Sequence, residues 1–209
     1  GNGSNLLVSD SGVEALFIRI GARMAGVGFD GTRLKCGAGA LLCTAAKAAV
    51  AEGLAGLEWA AGIPGTVGGA VAMNAGAYGG EMKDVLTEVT VLTREGEIRT
   101  VPAEKLEMGY RTSLAAKNGW IILEAVLKFQ KGDAEAIRGR MEELKMQRVT
   151  KQPLDLPSAG STFKRPEGYF AGKLIMDAGL RGFTVGGAQI SEKHCGFVVN
   201  KGGATAEDV

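Results

Sequence analysis

GIPGTVGGAVAMNAGAYGGE, residues 62–81, is the stretch around which the rest of the chain is organised. It is rich in glycine and carries no charged side chain before Glu81. Ile63-Pro64-Gly65 predicts a turn, and Thr66 is placed to cap a short helix that ends at Asn74. Glycines at a helix N-terminus suit free N–H groups and close approach to a flat or anionic ligand. They equally suit tight packing of the helix, and the local sequence leaves both uses open.

Composition sets limits on function. The chain has 209 residues, enough for one large domain or two small ones. Its net charge of +1 gives no argument for a nucleic-acid or anionic-membrane partner. No apolar run approaches the ~20 residues of a spanning helix. We expect no metal site, because there is one histidine, His194, and the three cysteines lack CxxC spacing and suit free thiols in a reducing compartment.

The first 130 residues predict an α+β structure with short strands. A glycine-rich turn at 1–5 leads into a strand at 6–8; it could bind an anion, but a polar turn is the better interpretation without context. Further strands are predicted at 15–20 and 34–36, followed by a helix at 41–52 that Gly53 closes. Period-two patterns then predict strands along 85–91, 98–101 and 121–129, with Ile121, Leu123, Ala125, Leu127 and Phe129 on one side.

Lys131-Gly132 is the predicted domain boundary. Asp133 then caps a helix whose apolar stripe is Ile137, Met141 and Leu144, and Pro153 follows its end. A short helix at 172–179 and a strand at 197–200 predict a βαβ unit over 165–200. The chain begins without methionine, and Thr205 with Asp208 suits the first turn of a further helix. We therefore expect a fragment that lacks sequence at both ends.

The loop KQPLDLPSAGSTFKRP, residues 151–166, is the second stretch with chemical content. Ser161 sits beside a glycine with no neighbouring histidine, which favours a hydroxyl donor over a Ser-His nucleophile. Lys151, Lys164 and Arg165 suit a substrate with phosphate or carboxylate groups, although a solvated basic loop has the same composition.

Six motifs occur together in this order: GNGSNLLV (1–8), GIPGTVGGAVAMNAGAYGGE (62–81), GYRTS (109–113), KQPLDLPSAGSTFKRP (151–166), AGKLIMDAGLRG (171–182) and GGAQISEKHCGFVVN (186–200). The series resembles the bacterial UDP-N-acetylenolpyruvoylglucosamine reductase (MurB) family, in its shorter type II form, over nearly the whole chain. The resemblance implies a cytoplasmic flavoenzyme of peptidoglycan synthesis in which NADPH reduces FAD. Hydride then reaches C3 of the enolpyruvyl group of a UDP-sugar, and a proton is added at C2.

The resemblance also implies a fold and two domains. Residues 1–130 would be an FAD-binding domain of the vanillyl-alcohol-oxidase-like (PCMH) type without its first lobe. Residues 131–209 would be an incomplete α+β substrate-binding domain.

Residue roles follow from the same resemblance. Ser161 in AGSTF corresponds to the proton donor, and Arg111 in GYRTS to the arginine that stabilises the developing anion. A catalytic glutamate would follow Val209. The implied substrate contacts are Tyr110, Lys151, Arg165 and Gln189; relatives often carry asparagine at position 165. The implied FAD contacts are Gly1, Asn2, Gly3, Ser4, Asn5, Leu6, Ile63, Pro64, Gly65, Thr66, Gly68, Gly69, Ala72, Ala75, Gly76 and Ala77.

Two other functions fit part of this pattern. One is another FAD-dependent oxidoreductase of the same superfamily that oxidises an alcohol with oxygen. The other is a UDP-sugar-binding module without turnover, against which the presence of both Arg111 and Ser161 argues.

Overall fold

The computed structural model describes residue 1 and residues 3–209, so Asn2 lies outside the described residues. The chain forms two compact units. The first comprises residues 18–145 together with Gly1, and the second comprises residues 3–17 and 146–209. These units are defined by contacts between residues, whereas the boundary at 131–132 is predicted between a cofactor-binding and a substrate-binding domain. That boundary stays a prediction.

The helices and strands are short apart from one helix. The strands are β1 (Val27–Asp30), β2 (Arg33–Gly37), β3 (Leu54–Ala55), β4 (Gly76–Ala77), β5 (Gly80–Glu81), β6 (Leu86–Leu92), β7 (Ile98–Pro102), β8 (Ile121–Lys128), β9 (Gln130–Lys131), β10 (Thr184–Val185), β11 (Ala188–Ile190) and β12 (Val198–Asn200). The helices are α1 (Leu42–Ala51), α2 (Val67–Ala72), α3 (Leu114–Lys117), α4 (Ala134–Lys151) and α5 (Ala171–Asp177). Among the residues that the structure describes, four 3-10 turns lie at Ala22–Met24, Glu58–Ala60, Met82–Asp84 and Ala103–Leu106.

The first unit is built on a five-stranded antiparallel sheet in the order β1-β2-β8-β6-β7. One sheet face joins the core through alternate residues such as Leu34, Val89 and Leu127. Helix α1 confirms the predicted alanine stripe, because Leu42, Ala46 and Ala49 are fully buried. Small side chains allow such a helix to pack closely against the core. Helix α2, which lies within the glycine-rich stretch, contributes Val67, Ala70 and Val71 to the same core.

A β-bulge changes the predicted burial pattern of β8. Thr90 pairs with Glu124, but the next residue, Val91, pairs with Ile122, so Leu123 is the extra residue. A bulge breaks the period-two alternation of side chains. As a result Ile122 is buried and Ile121 is exposed, which corrects the prediction that Ile121 shares the buried side with Ala125.

The strands predicted at 6–8 and 15–20 do not form. The apolar side chains there are largely exposed, with Leu16, Phe17 and Ile18 at 88%, 68% and 74% exposure. An apolar run becomes a strand only where another strand can pair with its N–H and C=O groups. Neither segment has such a partner strand among the described residues.

Helix α4 agrees with the sequence prediction. The Asp133 carboxylate accepts a hydrogen bond from the Ala136 N–H at 2.8 Å and so caps the helix. Ile137 and Leu144 are buried, whereas Met141 is half-buried. The helix ends at Lys151, two residues before Pro153.

The second unit holds a three-stranded antiparallel sheet in the order β10-β11-β12. The predicted βαβ unit over 165–200 is wrong, because no strand precedes α5 among the described residues of this range and the strands that follow α5 pair antiparallel. Gly186-Gly187 joins β10 to β11, and a two-residue connection can only form an antiparallel hairpin. Thr205 and Asp208 do form the predicted capping turn, since each side chain accepts a hydrogen bond from the other residue's N–H.

No helix within residues 1 and 3–209 has both the length and the apolar character needed to cross a membrane.

Candidate cofactor and substrate site

Arg111 lies in a tight turn beside the glycine-rich stretch. The N–H groups of Gly109 and Thr112 donate to each other's carbonyl groups at 3.1 and 3.3 Å, which closes the turn. Arg111 has a left-handed backbone with φ of 55°. Its guanidinium lies 5.0 Å from the centre of the Tyr110 ring, so the predicted catalytic arginine and one predicted substrate contact are neighbours.

The guanidinium of Arg111 is held by two backbone carbonyls of the glycine-rich stretch. Its Nη2 donates to Gly76 O at 2.9 Å, and its Nη1 is 3.4 Å from Asn74 O. Guanidinium has five N–H donors in a rigid plane, so two bonds fix its orientation and leave three donors. The structure thus joins Arg111 directly to the segment predicted to line FAD.

Asn74 has a role that the sequence does not indicate, because its position predicts only the end of a helix. It is fully buried and left-handed, with φ of 40°. Its Nδ2 donates to Glu81 Oε2 at 2.9 Å and to Gly109 O at 3.0 Å. Its Oδ1 accepts from the Lys83 N–H at 3.0 Å. One amide therefore ties together the turn of Arg111 and the segment 81–83.

Glu81 completes this polar network as a carboxylate. Its pKa lies below the ordinary value because it bonds the Lys83 ammonium and accepts from the Asn74 amide, with the positive charge of Arg111 as a weaker contribution. Lys83 Nζ lies 2.9 Å from Glu81 Oε2. The low pKa keeps Glu81 charged near neutral pH, so it acts as a constant acceptor for Asn74.

Ser113 attaches the other side of the turn to α2. Its side chain is fully buried, and its hydroxyl donates to Ala72 O at 2.7 Å. The same oxygen accepts from the Ala116 N–H at 3.2 Å and caps α3. Arg111 is therefore flanked by anchored residues on both sides.

The start of α2 differs from the sequence prediction. The N–H groups of Val67 and Gly68 are not free, since they donate to Ala40 O at 2.8 Å and Ala38 O at 2.9 Å. Thr66 makes no capping bond with its side chain. The predicted capping role of Thr66 and the predicted free N–H groups at these two positions are therefore wrong. The segment 38–40 supplies the acceptors instead.

The glycines of the stretch have two different uses. A methyl group at Gly68 would lie 2.7 Å from the Ala38 side chain, so Gly68 is required for packing. At Gly69 the nearest atom would be Thr66 Oγ1 at 3.7 Å, and at Gly65 it would be Ile63 Cγ2 at 4.0 Å. In the part of the chain described, the N–H groups of Gly65, Thr66 and Gly69 have no acceptor.

These observations fit a flat cofactor with anionic groups. The open Cβ positions and unpaired N–H groups at Gly65 and Gly69 allow close approach and hydrogen bonding. Four apolar side chains of the same stretch pack against the core but are only partly buried, so part of their apolar surface stays accessible: Ile63, Ala72, Ala75 and Ala77. Gly1 belongs to the same unit, and a methyl group there would lie 3.4 Å from Thr66 Oγ1.

Five further cofactor contacts are predicted near the N-terminus. Gly3, Ser4, Asn5 and Leu6 belong to the second unit, and Gly3 is left-handed with φ of 69°. Leu6 N–H donates to Gly3 O at 3.3 Å, so the predicted turn forms. The predicted contact Asn2 falls outside the described residues.

Ser161 lies in the second unit beside a glycine and a histidine. Ser161 and Phe197 pair in an isolated antiparallel β-bridge. The next residue, Thr162, donates its N–H to Gly196 O at 2.9 Å. A methyl group at Gly196 would lie 3.2 Å from Ser161 Oγ and 2.9 Å from His194 Cε1. Folding therefore brings His194 near Ser161 although they are 33 positions apart in the sequence, which no pattern of neighbouring residues could indicate.

His194 is held in one orientation. Its Nδ1 accepts a hydrogen bond from the Gly196 N–H at 3.1 Å, and its ring contacts Phe197 edge to face at 4.9 Å. Ser161 Oγ is exposed and makes no hydrogen bond to any described residue. The role of Ser161 as a hydroxyl donor stays a prediction.

The other predicted substrate contacts also lie in the second unit. Lys151 is the exposed last residue of α4, and the Arg165 guanidinium lies 5.0 Å from the Phe170 ring centre. Gln189 is on β11, where its Nε2 donates to Gly182 O at 3.3 Å and Thr184 Oγ1 at 3.1 Å. Among the described contacts, none joins these three side chains to Ser161.

Residues 1 and 3–209 contain no group of three or more His, Cys, Asp or Glu side chains that could hold a metal ion.

Two family models match the chain. Residues 1–102 match the FAD binding domain family. Residues 152–209 match the family described as UDP-N-acetylenolpyruvoylglucosamine reductase, C-terminal domain.

Curated relatives and a solved structure agree with these matches. The chain is 56% identical to a UDP-N-acetylenolpyruvoylglucosamine reductase of Agathobacter rectalis, with all of this chain and 70% of the relative covered. It is 55% identical to the enzyme of that name from Alkaliphilus oremlandii, covering 69% of that protein. The crystal structure of the reductase from Thermus caldophilus has a TM-score of 0.89 and 42% identity, with 100% of this chain and 76% of that chain covered.

Proposed function

The chain belongs to the UDP-N-acetylenolpyruvoylglucosamine reductase family, and from this premise we propose that it reduces UDP-N-acetylglucosamine-enolpyruvate to UDP-N-acetylmuramate with electrons from NADPH. Family membership makes it a flavin oxidoreductase of peptidoglycan synthesis that acts on a small molecule. The identity of the UDP-sugar, the use of NADPH and a cytoplasmic location are parts of the proposal.

The observation that carries the proposal is the bonding of Arg111 to the glycine-rich stretch. Gly65, Thr66 and Gly69 would hold FAD through their free N–H groups, and bound FAD would supply the transfer of two electrons from reduced nicotinamide to the enolpyruvyl group. Gly76 lies in this same stretch and accepts from Arg111 at 2.9 Å. One element would thus hold both the cofactor and a catalytic cation.

Arg111 would stabilise the negative charge that develops on the carboxylate side of the substrate. Fixed donors stabilise such charge because they need no reorganisation during the reaction. Two guanidinium N–H groups are bound to Asn74 O and Gly76 O, which leaves three for the substrate. A permanent cation with a rigid plane suits this role better than a flexible ammonium.

Ser161 would donate the proton that C2 of the enolpyruvyl group acquires. The O–H bond of the serine breaks, a C–H bond forms at C2, and the serine oxygen must then regain a proton from water or a neighbour. A serine hydroxyl is a weak acid, so it can protonate only a strongly basic, enolate-like carbon. The exposed Ser161 hydroxyl, which bonds no described residue, is available for this step.

Tyr110, Lys151, Arg165 and Gln189 are proposed as contacts to the substrate, whose diphosphate suits the two cations. All the residues that the resemblance implies as FAD contacts are proposed as FAD contacts of this chain.

The visible absorption spectrum of the purified protein tests the proposed function. The oxidised protein should show flavin bands that bleach when NADPH is added without oxygen. The bands should return when UDP-N-acetylglucosamine-enolpyruvate is added. A protein that cannot be reconstituted with FAD, yet binds the UDP-sugar, would instead be a binding module without turnover. Bleaching that only oxygen reverses would indicate another oxidase of the superfamily.

A further inference from the structure

We propose that Asn74 is a positioning residue that sets the orientation of Arg111, with Glu81 as its fixed acceptor. This inference rests on the proposed function, because it deepens the role of Arg111 in the same reaction. Asn74 is buried, so it acts through Arg111 and does not itself contact substrate.

The first argument is the number of bonds that Asn74 makes at one point. Its side chain donates to Gly109 O, which begins the turn of Arg111, and to Glu81 Oε2. It also accepts from the Lys83 N–H, while its own carbonyl oxygen lies 3.4 Å from Arg111 Nη1. The side chain thus fixes the backbone that carries Arg111, and the main chain fixes the guanidinium.

The second argument is backbone strain. Asn74 and Arg111 both have positive φ, at 40° and 55°. This region is costly for residues other than glycine, and asparagine is one of the few side chains that tolerate it. Two such residues held against each other by hydrogen bonds indicate an arrangement kept for its geometry.

The third argument is that Glu81 keeps the network in one state. The carboxylate has a lowered pKa, so at neutral pH it can only accept hydrogen bonds. The amide of Asn74 must therefore direct Nδ2 toward Glu81 and Oδ1 toward the Lys83 N–H. A flipped amide would place its oxygen against the carboxylate, which the charges disfavour.

Asn74→Asp tests the proposal in the FAD-loaded protein. The aspartate keeps the shape, the tolerance for positive φ and the acceptor for Lys83 N–H. It loses both donor bonds and places a second carboxylate beside Glu81. We expect reoxidation of reduced flavin by the enolpyruvyl substrate to slow by about tenfold to a hundredfold, as misplacement of a catalytic group does. Flavin reduction by NADPH should stay within about twofold of wild type, since Arg111 serves only the second half-reaction.

A double-variant comparison separates positioning from general damage. If Asn74 acts through Arg111, adding Asn74→Asp to Arg111→Lys should slow reoxidation little beyond Arg111→Lys alone. The proposal would be overturned if the two substitutions together slowed reoxidation by the product of their separate effects. It would also be overturned if Asn74→Asp slowed both half-reactions equally. Asn118→Asp is the matched control, because it makes the same chemical change at an exposed residue of the same unit.

Glu81→Ala keeps the proposal falsifiable if Asn74→Asp does not fold. It removes one acceptor of the Asn74 amide at a half-exposed position. We expect slower reoxidation with unchanged flavin reduction, and wild-type reoxidation would refute the role of the network. A wild-type protein that is never reoxidised by the substrate would contradict the proposed function itself, which is a different result.

Discussion

At the scale of single residues, the proposed functional side chains differ in how firmly they are held. Arg111 is held by two carbonyl groups, and Asn74 by three side-chain bonds. Ser161 differs, because its hydroxyl is exposed and makes no bond within the described chain. The two proposed catalytic residues should therefore respond differently to substitution.

Ser161→Ala should slow reoxidation of reduced flavin by the substrate by about a hundredfold or more, because the proton donor is lost. Flavin reduction by NADPH should remain nearly intact, and so should the free energy of unfolding, since the hydroxyl bonds no described residue. Stopped-flow absorbance of each half-reaction and a urea titration provide the measurements. Ser11→Ala, an exposed serine of the same unit, serves as the control. Equal loss in both half-reactions would remove Ser161 from its proposed role.

The resemblance to a known family implies roles for Arg111 and Ser161, but the sequence gives no such indication for Asn74 or His194. The role of Asn74 depends on Gly109, 35 residues later, and on the fold of the segment between them. His194 reaches Ser161 only because both flank Gly196 in the folded chain. Side-chain function of this kind is set by tertiary neighbours, which one sequence does not specify.

At the scale of elements, helix α2 shows what periodicity can and cannot predict. The turn residues and glycines of the sequence predict that this helix exists and approximately where it begins and ends. They do not predict which carbonyl groups accept from its first N–H groups, because Ala38 and Ala40 lie more than 25 residues earlier in the chain. The same limit applies to β8, where one extra residue, Leu123, reversed the burial of Ile121 and Ile122.

Gly68→Ala and Gly69→Ala should separate the two uses of glycine in α2. Gly68→Ala forces a methyl group against Ala38 and should lower the free energy of unfolding by about 1–3 kcal/mol. Gly69→Ala has room and should leave stability unchanged or raise it by up to about 1 kcal/mol, since alanine favours helix. It should instead weaken FAD binding, measured by flavin fluorescence. Unchanged FAD affinity would argue against contact between Gly69 and the cofactor.

At the scale of the whole molecule, the two compact units differ in how much core they contain. The first has a large buried cluster that includes the sheet, α1 and α2. In the second, few large apolar side chains are buried, chiefly Phe197 and Val199 around the three short strands. Apolar burial is the main stabilising contribution, so we expect the second unit to be the less stable one.

Cysteine labelling can report each unit separately. Cys36 in the first unit and Cys195 in the second are both buried, and burial raises the pKa of the Cys36 thiol to about 12. In native buffer, iodoacetamide should modify neither one, because both are buried and because the reactive thiolate of Cys36 is scarce. In a urea series, Cys195 should be modified at lower urea than Cys36, as mass spectrometry of peptides can show. Modification of both at one urea concentration would contradict the difference in stability. Cys43→Ser removes the remaining, half-buried thiol.

The positive φ of Arg111 has a consequence for engineering this chain. A non-glycine residue in the left-handed region costs the folded state of the order of 1 kcal/mol, which glycine at that position would avoid. Selection for heat resistance alone acts on this strain and on the two hydrogen bonds of the guanidinium, and it takes no account of the proposed catalytic role of Arg111. Improvement of this protein therefore has to screen for turnover at each round and treat position 111 as fixed.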